Sequence, residues 1–307
     1  MNEFDRKQLE AAFTAYLPLP AKLEPHLSEA LDRVLRNPGS LVRPEIVFQM
    51  ATAYDLPNVH ATELAVALEY FHTASLLFDD LPCMDDAIER RGTSCVHLEF
   101  GEAGAILAGL ALINRAYSLS WRAVSGCPHD RQSRALAYLE RYLGIEGLLN
   151  GQSMDLHYAT LTHDRHTTEQ IAVGKTVSLI RLSLVLPALL GGASTVELQI
   201  LERIAMCWGL SYQIVDDLKD VLQSPTESGK TSSRDISLGR PNIALVIGIP
   251  SVVERLTRLI RLGDKMLQRL IGSRPEVAFL EKLRAELGEE AVQVARNACE
   301  TTMRESA

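Results

Sequence analysis

The 307 residues are 47% hydrophobic, 23% charged and 6% aromatic, which provides for a large buried core and excludes a disordered or low-complexity chain. A net charge of −8 with no Lys/Arg run excludes a nucleic-acid partner, because docking on a phosphate backbone needs clustered cations. Five cysteines without CxxC or Cys/His spacing exclude a disulfide framework and a zinc site, and read as the reduced thiols of a cytoplasmic protein.

The chain starts polar and acidic, Met1-Asn-Glu-Phe-Asp-Arg-Lys7, without the basic and apolar regions of a secretory signal, so no export is expected. Apolar residues then recur at spacings of three and four, as at Leu64, Leu68, Phe71 and Phe78, while strict alternation is hard to find; the chain reads as nearly all helix. Breaks are expected at Leu17 to Pro20, Asn37 to Gly39, Asp55 to Pro57, around Pro82, Gly126 to Pro128, Gly191-Gly192, Gln223 to Gly239, Gly248 to Pro250 and Gly272 to Pro275. Roughly ten helices follow from these breaks, and no linker or repeat marks a domain boundary, so one domain over residues 1–307 is expected. The most apolar stretch, Leu179 to Ala193, carries Arg181 and Pro187 and is shorter than the roughly 20 residues of a membrane span, so no transmembrane segment is expected. The Ser/Thr/Gly-rich segment from Gln223 to Asp235 has the length of a functional loop and reads as a lid.

Acid is concentrated in two places. In the first, His72, Ser75 and Asp79 share a helix face, and Pro82 ends or kinks the helix so that Asp85 and Asp86 can curl back toward Asp79. In the second, Gln213, Asp216, Asp217 and Asp220 form one helical stripe. Like charges four apart, such as Asp216 and Asp220, destabilise a bare helix by a few tenths of a kcal/mol, and a bound cation reverses that sign. Oxygen-only donors without His or Cys point to a hard ion, and Mg²⁺ is commonly held by a few carboxylates plus water and substrate phosphate. Both acidic clusters follow apolar runs, and a buried carboxylate is costly unless something compensates it. Cations stand where phosphate oxygens would need them: Arg90 and Arg91, Lys175 in Gly174-Lys-Thr176, and Lys230 and Arg240. The site therefore reads as one for magnesium and a diphosphate.

This combination resembles the trans-prenyl diphosphate synthases, from about Pro38 to Pro241. Its markers are Asp79-Asp80-x4-Asp85-Asp86 with Arg90-Arg91-Gly92, Gly151-Gln152-Ser-Met-Asp155, Lys175-Thr176, and Gln213-x2-Asp216-Asp217-x2-Asp220. The resemblance implies an all-α isoprenoid synthase fold, a single-domain bundle of ten or more helices around a central cavity. It implies an enzyme that condenses an allylic prenyl diphosphate with isopentenyl diphosphate. Asp79, Asp85 and Asp216 would ligate Mg²⁺, with Asp80, Asp86, Asp217 and Asp220 supporting. Arg90, Lys175, Thr176, Gln213, Lys230 and Arg240 would hold the allylic diphosphate, with Gln152 nearby. Arg43, His72 and Arg91 would hold isopentenyl diphosphate. Ala74 and Ser75, one turn before Asp79, are small, and by the family's logic this favours a geranylgeranyl over a farnesyl product, although Tyr70 or Phe71 could also close the pocket. A homodimer is implied too, with the apolar stretch around Ala103 to Ile113 as a candidate interface.

One departure stands out. Where the family has Gly-Lys-Arg-x-Arg-Pro, this chain has Gly39-Ser40-Leu41-Val42-Arg43-Pro44, and the loss of a charged hydrogen bond to diphosphate costs roughly 1.5–3 kcal/mol. Tyr212 replaces a common Phe and Arg240 a common Lys. Two further readings stay open on these grounds: a class I terpene cyclase of the same fold, which needs no isopentenyl site, and a non-catalytic regulatory subunit of a prenyl synthase.

Overall fold

The computed structural model describes residues 3–222 and 239–305, with side chains described from 6 to 222 and from 239 to 297. The Gln223 to Asp235 segment, with Lys230 in it, lies outside the described residues. The protein is all-α, as expected, apart from one short ribbon among the described residues, Glu89–Arg90 paired antiparallel with Thr93–Ser94. It divides into two compact units, Met1–Leu136 with Leu186–Gly192, and Ala137–Val185 with Ala193–Ala307.

The first unit is built on α4, Asn58–Asp79, whose side chains are buried without interruption from Ala61 to Phe71. Such a helix has no solvent face; it is covered by α3 (Val42–Ala53) and α5 (Val96–Ser125). Each fully buried Leu or Phe on it contributes about 1.5–3 kcal/mol. Polar groups carried into this core are matched: the Tyr70 hydroxyl donates to the Phe13 carbonyl on α1 (Glu3–Ala15), and Glu63 accepts from Arg122 Nη2 at 2.6 Å and pairs with His60 Nδ1 at 3.1 Å. Helix α2, Pro25–Leu35, starts with proline at its first turn and a side-chain cap, Leu27 N donating to Glu24 at 3.0 Å. Helix α5 is interrupted at Gly101 and leaves Ile106, Leu107, Leu110, Tyr117 and Trp121 exposed.

The second unit is organised on α10, Thr195–Leu222, which opens with a reciprocal cap: Ser194 N donates to Glu197 Oε2 at 2.8 Å and Glu197 N to Ser194 Oγ at 3.2 Å. Helices α11 (Ile243–Ile247), α12 (Ile249–Ser273) and α13 (Leu280–Glu305) pack on it. The stretch between Pro128 and Gly191, expected to run as helix, is subdivided. Helix α6 (His129–Leu143) stops before Gly144, α7 spans Leu148–Leu156, and α8 (Arg165–Ala172) restarts where Asp164 accepts from Thr167 N at 2.8 Å. Between α8 and α9 (Ser178–Gly191) lies a π-helical turn, Val173–Val177.

Among the described residues, two helical runs are long and apolar enough to cross a membrane by length and composition, Arg165–Gly191 and α5. The first is 67% buried inside the protein, as a core helix is, and α5 only 28%.

Candidate active site

The first acidic motif sits at the C-terminal end of α4. Helix geometry stops at Asp79, and the chain turns through Leu81 to Met84 so that Asp85 N donates to the Asp79 carbonyl at 2.9 Å and Ala87 N to the Asp80 carbonyl at 3.1 Å. The return of Asp85 onto Asp79 expected from Pro82 is present. Asp86 is exposed, with a left-handed backbone. Asp80 differs from its neighbours: it is 3% exposed, and its Oδ1 accepts from Arg90 Nε at 2.9 Å and Nη2 at 2.6 Å. Burial alone would lower the Arg90 pKa, but the bond to Asp80 and the charges of Asp80 and Asp79 together outweigh it and hold the guanidinium above its ordinary value.

Arg90 and Arg91 are aimed by the ribbon. Arg91 and Gly92 both have positive φ, 55° and 73°, as the two central residues of a tight turn between the paired strands. For an arginine that backbone is strained, and its side chain is correspondingly tied down: Nη1 donates to the Asn37 carbonyl at 3.0 Å and Nη2 to Glu69 Oε1 at 3.4 Å. The guanidinium lies over Gly39, where a Cβ would come within 2.5 Å of it, so Gly39 is required here both for its positive φ and for this approach. Burial first, then the charges of Arg43, Arg91 and Arg90, push the His72 pKa well below its ordinary value, so the imidazole is neutral. Its Nδ1 is buried without a hydrogen-bond partner. Ala74 is fully buried, and half-buried Ser75 donates its hydroxyl to the His72 carbonyl at 2.8 Å.

In the second unit the Lys175-Thr176 pair rides on the π-turn, a feature that often marks functional sites. The turn touches α7 backbone to backbone: a Cβ on Gly151 would stand 2.4 Å from Lys175 N. That contact brings Lys175 Nζ to within 3.0 Å of Asp155 Oδ2, with Arg240 Nε 3.9 Å from the same oxygen. Gln152, on the same helix, is half-buried. Thr176 Oγ1 donates to Gln213 Oε1 at 2.7 Å, and Gln213 Nε2 donates to Asp217 Oδ1 at 2.8 Å. Asp217 is 1% exposed; its Oδ2 accepts from Ile243 N at 2.8 Å, and Asn242 Nδ2 donates to its carbonyl at 3.0 Å. Asp216, next in sequence, is exposed, and Asp220 is half-buried.

Among the described residues no three His, Cys, Asp or Glu side chains enclose a cation by themselves. Magnesium completed by water and substrate phosphate requires no such cage, and carboxylates such as those of Asp79 and Asp85, whose backbones meet in the loop, are the donors it takes. Two acids that the motifs do not contain or stress complete the picture. Asp155 is a marker of the family resemblance to which the sequence assigns no role, and Glu69 lies outside every motif. The signal for Glu69 is a charged residue inside the apolar run from Leu64 to Phe71, which has to find a partner when buried.

The fold and these paired cationic and acidic groups define an isoprenoid synthase-type helical enzyme. Residues 24–268 match the family model described as polyprenyl synthetase, and the chain belongs to that family and is a trans-prenyltransferase. It is 36% identical over 259 residues to geranylgeranyl pyrophosphate synthase 11, chloroplastic, of Arabidopsis thaliana, covering 82% of this chain and 72% of that one. It is 34% identical to geranylgeranyl pyrophosphate synthase 6, mitochondrial, of the same plant, over 80% of this chain and 74% of that one. In structure it is similar to a geranyltransferase from Helicobacter pylori complexed with magnesium and isoprenyl diphosphate, with TM-score 0.76, 23% identity, and coverage of 97% and 96%. The expectation of a cytoplasmic protein does not stand: the relatives carry chloroplastic and mitochondrial names, and unpaired thiols do not separate the cytoplasm from other reducing compartments.

Proposed function

We propose that this chain is a Mg²⁺-dependent short-chain synthase that joins an allylic diphosphate to isopentenyl diphosphate and releases geranylgeranyl diphosphate. The observation that carries the reading is the closed loop of the first motif, with Asp85 folded onto Asp79 while Asp80 fixes Arg90. Asp79, Asp85 and Asp216 would hold the metal, with Asp80, Asp86, Asp217 and Asp220 supporting them; bound there, it would supply positive charge to the diphosphate that leaves. Arg90, Lys175, Thr176, Gln213, Lys230 and Arg240 bind and orient that diphosphate, with Gln152 beside them. Asp155 aims Lys175 and Arg240, and Gln213 aims Thr176. Arg43, Arg91 and neutral His72 hold isopentenyl diphosphate, whose double bond attacks the allylic cation; the proton lost goes to the released diphosphate.

The names of the curated relatives support this assignment over a cyclase or a regulatory subunit. The family model spans residues 24–268 in one piece, which supports reading both compact units as one domain. The apolar outer face of α5, with Ile106, Leu107, Leu110, Tyr117 and Trp121, supports a homodimer. Small, fully buried Ala74 supports the longer product. The test is incubation with Mg²⁺ and farnesyl diphosphate, with and without isopentenyl diphosphate. A twenty-carbon diphosphate that forms only when both are present is expected. A hydrocarbon or alcohol from the allylic substrate alone would overturn the reading, as would complete inertness.

A further inference from the structure

The first unit contains a buried acid that neither acidic motif includes, in the middle of the proposed isopentenyl diphosphate subsite. Glu69 is 2% exposed and lies one turn before His72 on α4. It meets Arg91 at 3.4 Å from one side and feels the charge of Arg43, on α3, from another. Arg91 in turn joins two separate pieces of chain: the strained turn that carries it, and the loop that offers the Asn37 carbonyl and the Gly39 backbone beneath its guanidinium. Without Glu69 only the Asn37 carbonyl would fix the direction of that side chain. The neighbourhood has Ser40 where the family carries a lysine, so Arg43 and Arg91 are the cations left to it besides Arg90, which is bonded to Asp80, and Glu69 offsets part of their charge.

Resting on the prenyl-transfer reading, we propose that Glu69 is the positioning residue of the isopentenyl diphosphate subsite: it aims Arg91 in the free protein and takes up one proton when the diphosphate docks, returning both arginines to the substrate. The argument is electrostatic. A carboxylate held next to a pair of arginines is tolerated while they lack another anion. A diphosphate arriving on those arginines adds like charge beside a desolvated carboxylate, and protonation relieves the repulsion. Burial, opposed by Arg43 and Arg91, sets the Glu69 carboxyl at about 7 in the unliganded protein, so the change falls within reach of ordinary assay conditions. The other groups around it do not titrate there. Arg90 and Arg91 stay charged, and His72, on the same helix, stays neutral because its pKa lies well below the ordinary histidine value.

The sign follows from linkage. Below pH 7 Glu69 is already protonated and binding takes up nothing. Above it, each molecule bound draws in up to one proton, and affinity falls by up to about tenfold per pH unit. The experiment is titration calorimetry of the full chain with Mg²⁺ and isopentenyl diphosphate at pH 6.5 to 8.5, in two buffers of different ionisation heat. Elongation kinetics over the same range accompany it. Substrate ionisation is common to all variants, so the comparison isolates Glu69. At pH 8 the wild type is expected to take up nearly one proton more than Glu69→Gln, which keeps an acceptor for Arg91. Its KM for isopentenyl diphosphate is expected to rise with pH while that of Glu69→Gln stays flat, with kcat little changed in either. Glu69→Ala, which leaves Arg91 unaimed, is expected to raise that KM severalfold at every pH. If Glu69→Gln does not fold, Glu69→Asp carries the test: a carboxyl drawn back from Arg91 should raise KM at every pH while keeping the step. Equal proton counts and equal pH slopes in wild type and Glu69→Gln, or a wild-type KM in Glu69→Asp, would overturn the proposal. A wild type that binds isopentenyl diphosphate but elongates nothing would instead overturn the prenyl-transfer reading and this role with it.

Discussion

Asp216 and Asp217 are adjacent and chemically identical, yet the structure gives them opposite assignments, which alanine substitution can separate. Asp217→Ala deletes the acceptor of Ile243 N, a backbone donor buried with its residue, and of Gln213 Nε2, which is half-buried. A buried donor left without a partner costs roughly 1–3 kcal/mol, and the half-buried amide, which can find water, adds less, so the total is about 2–4 kcal/mol. In a chain of this size that lowers Tm by about 3–6 °C. Asp216 is exposed, and Asp216→Ala should change stability by no more than about 0.5 kcal/mol. Its effect belongs to catalysis, with nearly all turnover lost. Thermal unfolding of the two variants alongside product formation is the assay. An Asp217→Ala protein that melts with the wild type, or an Asp216→Ala protein that melts as early as Asp217→Ala, would refute the division of labour.

Gly151→Ala places a methyl 2.4 Å from Lys175 N, where neither backbone can yield cheaply; it is expected to lower both Tm and kcat, read by unfolding and steady-state kinetics. His72 is buried neutral with a depressed pKa, so the unfolded chain binds a proton below about pH 6.5 that the folded one refuses. Stability should fall as pH drops through that value, by up to ~1.4 kcal/mol per unit, and urea midpoints of His72→Gln should show a shallower fall. Ala74→Phe fills a fully buried position with a ring; product analysis should show a shift to the fifteen-carbon diphosphate, together with a destabilisation of about 1–3 kcal/mol.

How much was legible in the sequence depends on whether the determinant was local. Pro82 disfavours helix at Leu81 by sterics alone, so the return of Asp85 onto Asp79 could be read directly. The periodicity of α4 was equally clear, because a helix buried all round repeats apolar residues wherever it is sampled. Arg90-Arg91-Gly92 was read as charge, but its second role as a turn with two positive φ angles was not, since arginine is a poor predictor of left-handed backbone. The stripe of the second motif was correct as spacing, yet spacing does not say which of two adjacent carboxylates faces inward; Ile243, far along the chain, decides that for Asp217. The same holds for Glu69, whose partners come from α3 and the ribbon. The break near Gly144 is hidden because apolar spacing continues across it, and the one before Asp164 because no proline or glycine marks the polar stretch from Thr162 to Gln170.

The π-turn at Val173–Val177 has a consequence for how α8 and α9 can evolve. A wider turn holds about one more residue than an α-helical one, so it acts as a frameshift in rotation: side chains after it are turned by roughly 100° relative to those before. The polar surface of α8 and the apolar body of α9 are thus each in phase with their own neighbours, although no single amphipathic pattern covers both. Deleting any one residue of the turn would join them into a continuous α-helix in which one half must face the wrong way. Insertions and deletions are therefore forbidden across this segment, even where individual side chains could be exchanged.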